Sequence, residues 1–268
     1  MGKPEGVVEQ GTLPDFLIIG AQKGGTTFLY NALRRHPYFK AATKKEIHFF
    51  DTQKYAKKGL DWYREQFPSP KIKNGAKVLT GEASPYYMFH PLVPRRVAEC
   101  LPDVRLIALL RNPIDRAYSD YQHKVRQGNE ELSFEDAIDA EEERIAGEQE
   151  KIHAREDYMS RAYRRYTYLL RGIYVDQIQE WHRYFDSEQL LIIKSEDFRE
   201  EPESALKQVQ AFLGLPERGL DIEVVQGRNV GGYQQQMDPQ TRRRLQVYFE
   251  PHNRRLYDYL GRDFGWNG

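Results

Sequence analysis

From residue 14 onward, short apolar runs alternate with amphipathic stretches. Phe16–Ile19 is uniformly apolar and stops at Gly20, and Leu29 and Leu33 then recur at helical spacing after Thr26. The pattern reads as strand, tight loop, helix. Further apolar runs at Val78–Thr80, Arg105–Leu110 and Leu190–Ile193 predict more strands. Pro91–Cys100, Pro113–Arg126, Gly172–Phe185 and Pro202–Leu213 carry helical periodicity, with Pro113 and Pro202 placed for first helical turns. Pro239 begins a last helical stretch, which Pro251 is expected to kink or interrupt. Strands alternating with helices predict an α/β fold of three layers, α/β/α, around a central parallel sheet of about five strands. Residues 1–13 read as a polar tail and 14–268 as one domain.

Glu130–Asp157 is charged throughout, with apolar positions only at Phe134, Ile138 and Ile145. It predicts a solvated amphipathic helix, with a mobile cover over a cleft as the sharper alternative. Composition narrows the function classes. Across 268 residues, 40 Lys and Arg balance 40 Asp and Glu, which argues against a general nucleic-acid or anionic-membrane binder. Cys100 is the only cysteine, which excludes an intramolecular disulfide and zinc sites built on cysteine pairs. No apolar run approaches the ~20 residues of a membrane span, so the expected setting is cytoplasmic.

Chemistry concentrates in Gly20-Ala21-Gln22-Lys23-Gly24-Gly25-Thr26-Thr27. A glycine-rich turn between strand and helix lets backbone N–H groups converge on an anion, and the helix start adds partial positive charge. Gly24 and Gly25 permit close approach, Lys23 supplies a point charge, and Thr26 and Thr27 offer hydroxyls. The loop is P-loop-like, yet Thr26 stands where a Walker lysine belongs and Lys23 lies three residues earlier. A nucleotide kinase or NTPase and a non-catalytic nucleotide-binding protein are therefore the alternatives to carry.

This loop resembles the 5′-phosphosulfate-binding loop of sulfotransferases that use 3′-phosphoadenosine-5′-phosphosulfate (PAPS). Lys45-Glu46-Ile47-His48-Phe49-Phe50-Asp51 and Lys58-Gly59-Leu60-Asp61-Trp62-Tyr63 are similar to segments of the heparan sulfate branch. The closing Arg262–Gly268 resembles the carboxyl end of the 3-O-sulfotransferases. The resemblance implies PAPS as donor, PAP as product, no metal, and in-line transfer to a hydroxyl or amino group of a sugar or small molecule. It implies Glu46 as catalytic base and His48 as a supporting active-site residue.

The residues themselves support that assignment. A weak hydroxyl nucleophile needs a base near the attacking oxygen. Lys44, Glu46 and His48 alternate at period two, so an extended backbone would put them on one face. Lys23 is expected to relieve charge on the departing phosphate, and Gln22, Gly24, Gly25, Thr26 and Thr27 to complete the anion site. At a strand's carboxyl end, Arg111 offers a fork for a phosphate, and Ser119 follows eight residues later, as in the family's 3′-phosphate motif. Tyr174 reads either as a nucleotide contact or as a core aromatic. Two departures stand out: Ala83 occupies a position where the heparan enzymes place Lys, and Arg228 is the best cation in the segment Gln226–Gln234 that replaces their basic nucleotide-covering loop.

Overall fold

The computed structural model describes residues 11–219 and 236–266. Five parallel strands form the central sheet: β1 (Phe16–Gly20), β2 (Phe39–Ala41), β4 (Ala76–Ala83), β5 (Arg105–Leu110) and β6 (Leu190–Lys194), in the order β2-β4-β1-β5-β6. A short β3 (Lys71–Lys73) pairs antiparallel with the start of β4. The expected sheet is thus present, and β2 and β3 are additions to it.

Alternation along the central strands explains the layers. Leu17 and Ile19 of β1 and Leu106, Ala108 and Leu110 of β5 face one core, and Phe16, Ile18, Ile107 and Leu109 face the other. The second face is covered by α1 (Thr26–Leu33), α10 (Ser195–Glu200) and α11 (Pro202–Leu213), through Leu29, Leu33, Phe198, Leu206 and Val209. The first is covered by α3 (Val93–Cys100), α4 (Pro113–Arg126), α9 (Tyr174–His182) and α12 (Pro239–Leu260). The last of these continues through Pro251 as one helix, so that proline does not interrupt it. Phe49, Phe50 and Tyr63, the last on α2 (Lys54–Arg64), pack into the same core.

Glu130–Asp157 does not form the single solvated helix its charge suggested. It folds into α5 (Phe134–Asp139), α6 (Glu141–Ile145) and α7 (Glu148–Ala154), and three of its glutamates are buried. Glu130 pairs with Arg144 at 2.6 Å, Glu141 accepts the amides of Leu169 and Leu170, and Glu148 accepts the hydroxyls of Tyr158 and Ser160. These carboxylates cap neighbouring chain instead of facing water, which is why their charge misled the reading. The segment is tied down on α8 (Arg161–Arg165) and the turns beside it.

Candidate active site

Because the five strands are parallel, the loops after β1, β4 and β5 emerge on one edge, where ligands bind in open α/β sheets. The β1–α1 loop is pressed against β5. The Ala21 amide donates to the Leu109 carbonyl at 2.9 Å, and a Cβ on Gly24 would fall 2.3 Å from that same oxygen. Only glycine fits there. Lys23 and Gly25 both take positive φ, 71° and 101°, a bend that turns the loop into the first turn of α1. At that turn the amides of Thr26 and Thr27 have no intrahelical acceptor.

Side chains brace this loop from both sides. Ser195 Oγ donates to the Gly24 carbonyl at 2.7 Å. Gln22 Oε1 accepts from Arg171, a buried guanidinium that also donates to Thr167 Oγ1 at 2.6 Å and lies over the rings of Tyr86 and Phe89. Thr27 Oγ1 accepts from Lys45 Nζ at 2.8 Å, and the same ammonium sits 2.6 Å from Glu46 Oε1. A continuous polar chain therefore runs from the anion loop to the Glu46 carboxylate.

Beyond Glu46 the chain continues. His48 Nε2 lies 3.2 Å from Glu46 Oε2, and His48 Nδ1 lies 2.8 Å from Asp51 Oδ2. Arg164 pairs with Asp51 at 3.2 Å, and its guanidinium lies 3.3 and 3.4 Å from the two ring nitrogens of His48. Burial opposes ionisation of Glu46, but hydrogen bonds from His48 and Lys45 outweigh it and hold the carboxyl at about 2. Burial likewise lowers His48, yet its bonds to Asp51 and Glu46 lift it to about 9. The buried Asp51 is held below the usual carboxylate range by the same imidazole, against its own desolvation. At neutral pH the arrangement is carboxylate, imidazolium, carboxylate.

Period-two alternation does not produce this cluster. The segment is not a strand: His48 has φ 53°, and the exposed Lys44 is no part of the polar chain, whose cation is Lys45. A left-handed residue breaks the extended register, so Glu46 and His48 meet by a turn and not by sharing a pleat. Lys45, Asp51, Arg164 and Arg171 went unselected in the sequence. Asp51 was reachable, three residues after His48. The two arginines approach from 113 and 149 residues away from the groups they contact, which no local pattern signals.

Arg111 occupies the end of β5 as expected. Its Nη1 donates to the Lys23 carbonyl at 3.5 Å, while its Nε is buried without a hydrogen-bond partner among the described residues. Beside it opens a cleft of about 210 Å³ lined by Arg111, Asp115, Tyr118, Met237 and Arg242. Asn112 caps α4 through Ile114 and Asp115, and Pro113 takes the first helical turn. Ser119 is buried two turns along that helix. Tyr174 is buried, donates its hydroxyl to the Arg111 carbonyl at 2.8 Å and packs on Trp266. Arg228 and its loop, most of the tail, Asn267 and Gly268 lie outside the described residues. Among the described residues there is no cluster suited to a metal ion.

The paired shifts set a pH dependence. A His48 raised from 6.5 to about 9 contributes stability that is full below its unfolded value and lost as pH rises through about 9. Glu46, lowered from 4.5 to about 2, contributes above 4.5 and loses it as pH falls toward 2. Thermal melts from about pH 7 to about pH 10 should therefore decline more steeply for the native chain than for His48→Asn. Parallel declines would show that the imidazolium is not held by its neighbours.

Comparison with known proteins accords with this geometry. Residues 13–228 match the family model described as the sulfotransferase domain. The human bifunctional heparan sulfate N-deacetylase/N-sulfotransferase 2 is 32% identical over 278 residues, 93% of this chain, and the chain spans 30% of that protein's length. The membrane-associated sulfotransferase kil1 of Dictyostelium discoideum is 27% identical over 95% of this chain and 66% of its own. Among solved structures, a sulfotransferase from Alicyclobacillus acidocaldarius superposes with a TM-score of 0.76 at 30% identity, covering 96% of this chain and all of the other.

Proposed function

The chain belongs to the sulfotransferase domain family, and we propose on that footing that it moves a sulfuryl group from PAPS to an amino or hydroxyl group of a sugar-like acceptor, with Glu46 as general base. One observation carries this reading: the Thr27–Lys45–Glu46–His48 chain, which couples the anion loop to a carboxylate that can take the acceptor's proton. Residues 14–268 act in it as one sulfotransferase unit, a reading supported by Phe264 and Trp266 near the carboxyl end, which pack into the main core. Among the described residues, no helix is long and apolar enough to cross a membrane. A reducing, cytoplasmic setting is part of the reading, supported by the single cysteine.

The division of labour follows from charge. Loop amides from Lys23 to Thr27 and the Lys23 ammonium receive the 5′-phosphosulfate, and Arg111 with Ser119 receives the 3′-phosphate. Lys45 stands between loop and base, so an anion in the loop competes with Glu46 for its ammonium. Weakening that pair raises the Glu46 carboxyl from about 2 toward a more useful basicity. As the acceptor's nitrogen or oxygen bonds to sulfur, the bond from sulfur to the bridging oxygen breaks. The acceptor proton passes to Glu46, His48 and Asp51 hold that carboxylate in line, and Lys23 offsets the charge left on the departing phosphate. An amino acceptor is supported by the N-sulfotransferase relative, and a sugar acceptor by its heparan sulfate substrate name.

Calorimetry on the nucleotide site tests this reading. The native chain should bind PAP more tightly than ADP, and Arg111→Ala should weaken PAP by about 10- to 100-fold, as expected for loss of a charge-assisted fork, while barely changing ADP. Equal losses for both nucleotides would remove Arg111 from the 3′-phosphate site.

A further inference from the structure

The segment that carries Glu46 and His48 lies outside any strand or helix, yet consecutive amides of its backbone are bonded to the segment that ends and follows β4. The Ile47 amide donates to Glu82 Oε2 at 3.1 Å, the His48 amide to Ser84 Oγ at 3.3 Å, and the Phe49 amide to Tyr87 Oη at 2.9 Å. The Lys45 carbonyl accepts from the Ala83 amide at 3.1 Å. Three consecutive amides thus lead, directly or through one hydroxyl, to a single carboxylate. Ser84 Oγ donates to Glu82 Oε2 at 2.7 Å, and Tyr87 Oη and Tyr63 Oη donate to Oε1 at 2.9 and 2.7 Å. Glu82, near the carboxyl end of β4, is fully buried and takes no part in the proposed chemistry.

We infer that Glu82 is a positioning residue, the hub that fixes the backbone of residues 47–49 and so aims Glu46 and His48 at the reacting centre. The inference rests on the proposed role of Glu46. Direction of hydrogen bonding is the heart of it. The amides of His48 and Phe49 can only donate, so the hydroxyls of Ser84 and Tyr87 accept from them and point their own protons at Glu82. Their lone pairs are then left to face the amides of His48 and Phe49. The hub thereby receives both relays, and a segment with no ladder of its own gains a defined conformation. It also holds the left-handed φ of 53° at His48, a backbone state that surrounding structure must enforce. Burial lifts the Glu82 carboxyl above the ordinary carboxylate range, and the bonds from Tyr63, Ser84, Ile47 and Tyr87 offset that only in part.

Glu82→Gln replaces one acceptor oxygen with a donor at nearly unchanged volume. One relay hydroxyl would have to reverse, and its proton would then be aimed at a backbone N–H. Glu82 takes its hydrogen bonds from Ile47, Tyr63, Ser84 and Tyr87, which lie outside the Gly20–Thr27 loop, so binding of the nucleotide should survive. The expected result is a kcat lower by about 10- to 100-fold, as a small misplacement of reacting groups costs, with PAP affinity within about twofold of native. Tyr87→Phe, which keeps the ring in its packing, should lower kcat in the same sense by about tenfold.

The second readout is the NMR titration of the His48 imidazole, which general destabilisation would not move. It should drop from about 9 toward 6.5 in both variants, because a loosened segment no longer holds the ring between Glu46 and Asp51. Folded variants that keep native kcat, or that keep the native His48 titration, overturn the inference. If Glu82→Gln fails to fold, Tyr87→Phe and Ser84→Ala decide by the same two readouts. Should Glu46 prove not to be the base, Glu46→Gln would retain turnover while the His48 titration still moved in Glu82→Gln, so the two failures are distinct.

Discussion

Glu46→Gln is expected to lower kcat for sulfuryl transfer by about 10²- to 10⁴-fold, the contribution of a positioned general base. Glutamine keeps the size of the side chain and still accepts a hydrogen bond, but it cannot take the acceptor's proton. Because Glu46 is linked to the loop through the Lys45 ammonium and Thr27, PAP affinity should stay within about threefold of native, the scale of one exposed charge pair. Single-turnover transfer from saturating PAPS, with calorimetry of PAP alongside, separates the two quantities. Loss of PAP binding with intact turnover of the bound fraction would give Glu46 a binding role in place of a proton-transfer one.

Lys23→Met should cost kcat about 10²- to 10³-fold, the range for removing one preorganised charge from a transition state. Methionine is the informative replacement. The residue sits at φ 71°, so shortening the stem or restoring glycine would change the backbone along with the charge. The Lys23 charge already acts on α4: it adds to the lowering of the buried Asp120 carboxyl, where desolvation opposes it, and of His123, where desolvation leads. Its ammonium therefore lies within electrostatic reach of the α4 groups Asp120 and His123. A presteady-state burst under saturating acceptor measures the chemical step. A loss confined to the KM for PAPS, with the burst rate unchanged, would confine Lys23 to ground-state binding.

How much of this was legible in the sequence depended on how local each feature is. Strands β1 and β5 are legible because each is buried on both faces and reads as a short apolar run, and the half-buried edge strand β6 is legible from the run Leu190–Ile193. The three-residue β2 and β3 carry too little pattern to rise above the loops around them. The turn between β1 and α1 was readable as a turn, since contiguous residues hold the glycines that its close approach and positive φ require. The position of Arg111 at the end of β5 was readable from its place between an apolar run and a helix-starting proline.

The rest of the site is assembled by contacts between distant segments. Glu130, Glu141 and Glu148 look like surface charge in sequence and prove to be buried anchors, because their partners are a remote arginine, backbone amides and hydroxyls. Glu82 is a lone acid at the end of an apolar strand, and only the fold shows four donors converging on it. Lys45 was passed over for Lys44 because alternation assumed an extended backbone that the turn at His48 does not have. For the glutamates the missing information was a partner, and for Lys45 it was the backbone conformation.

A crystal structure with PAP bound tests the account most directly. The 5′-phosphate should rest on the amides from Lys23 to Thr27 beside the Lys23 ammonium, with the Glu46 carboxylate facing the space beyond it and Arg111 on the 3′-phosphate. Finding the nucleotide reversed, or its 5′-phosphate bound away from that loop with Glu46 still closed onto Lys45, would contradict it.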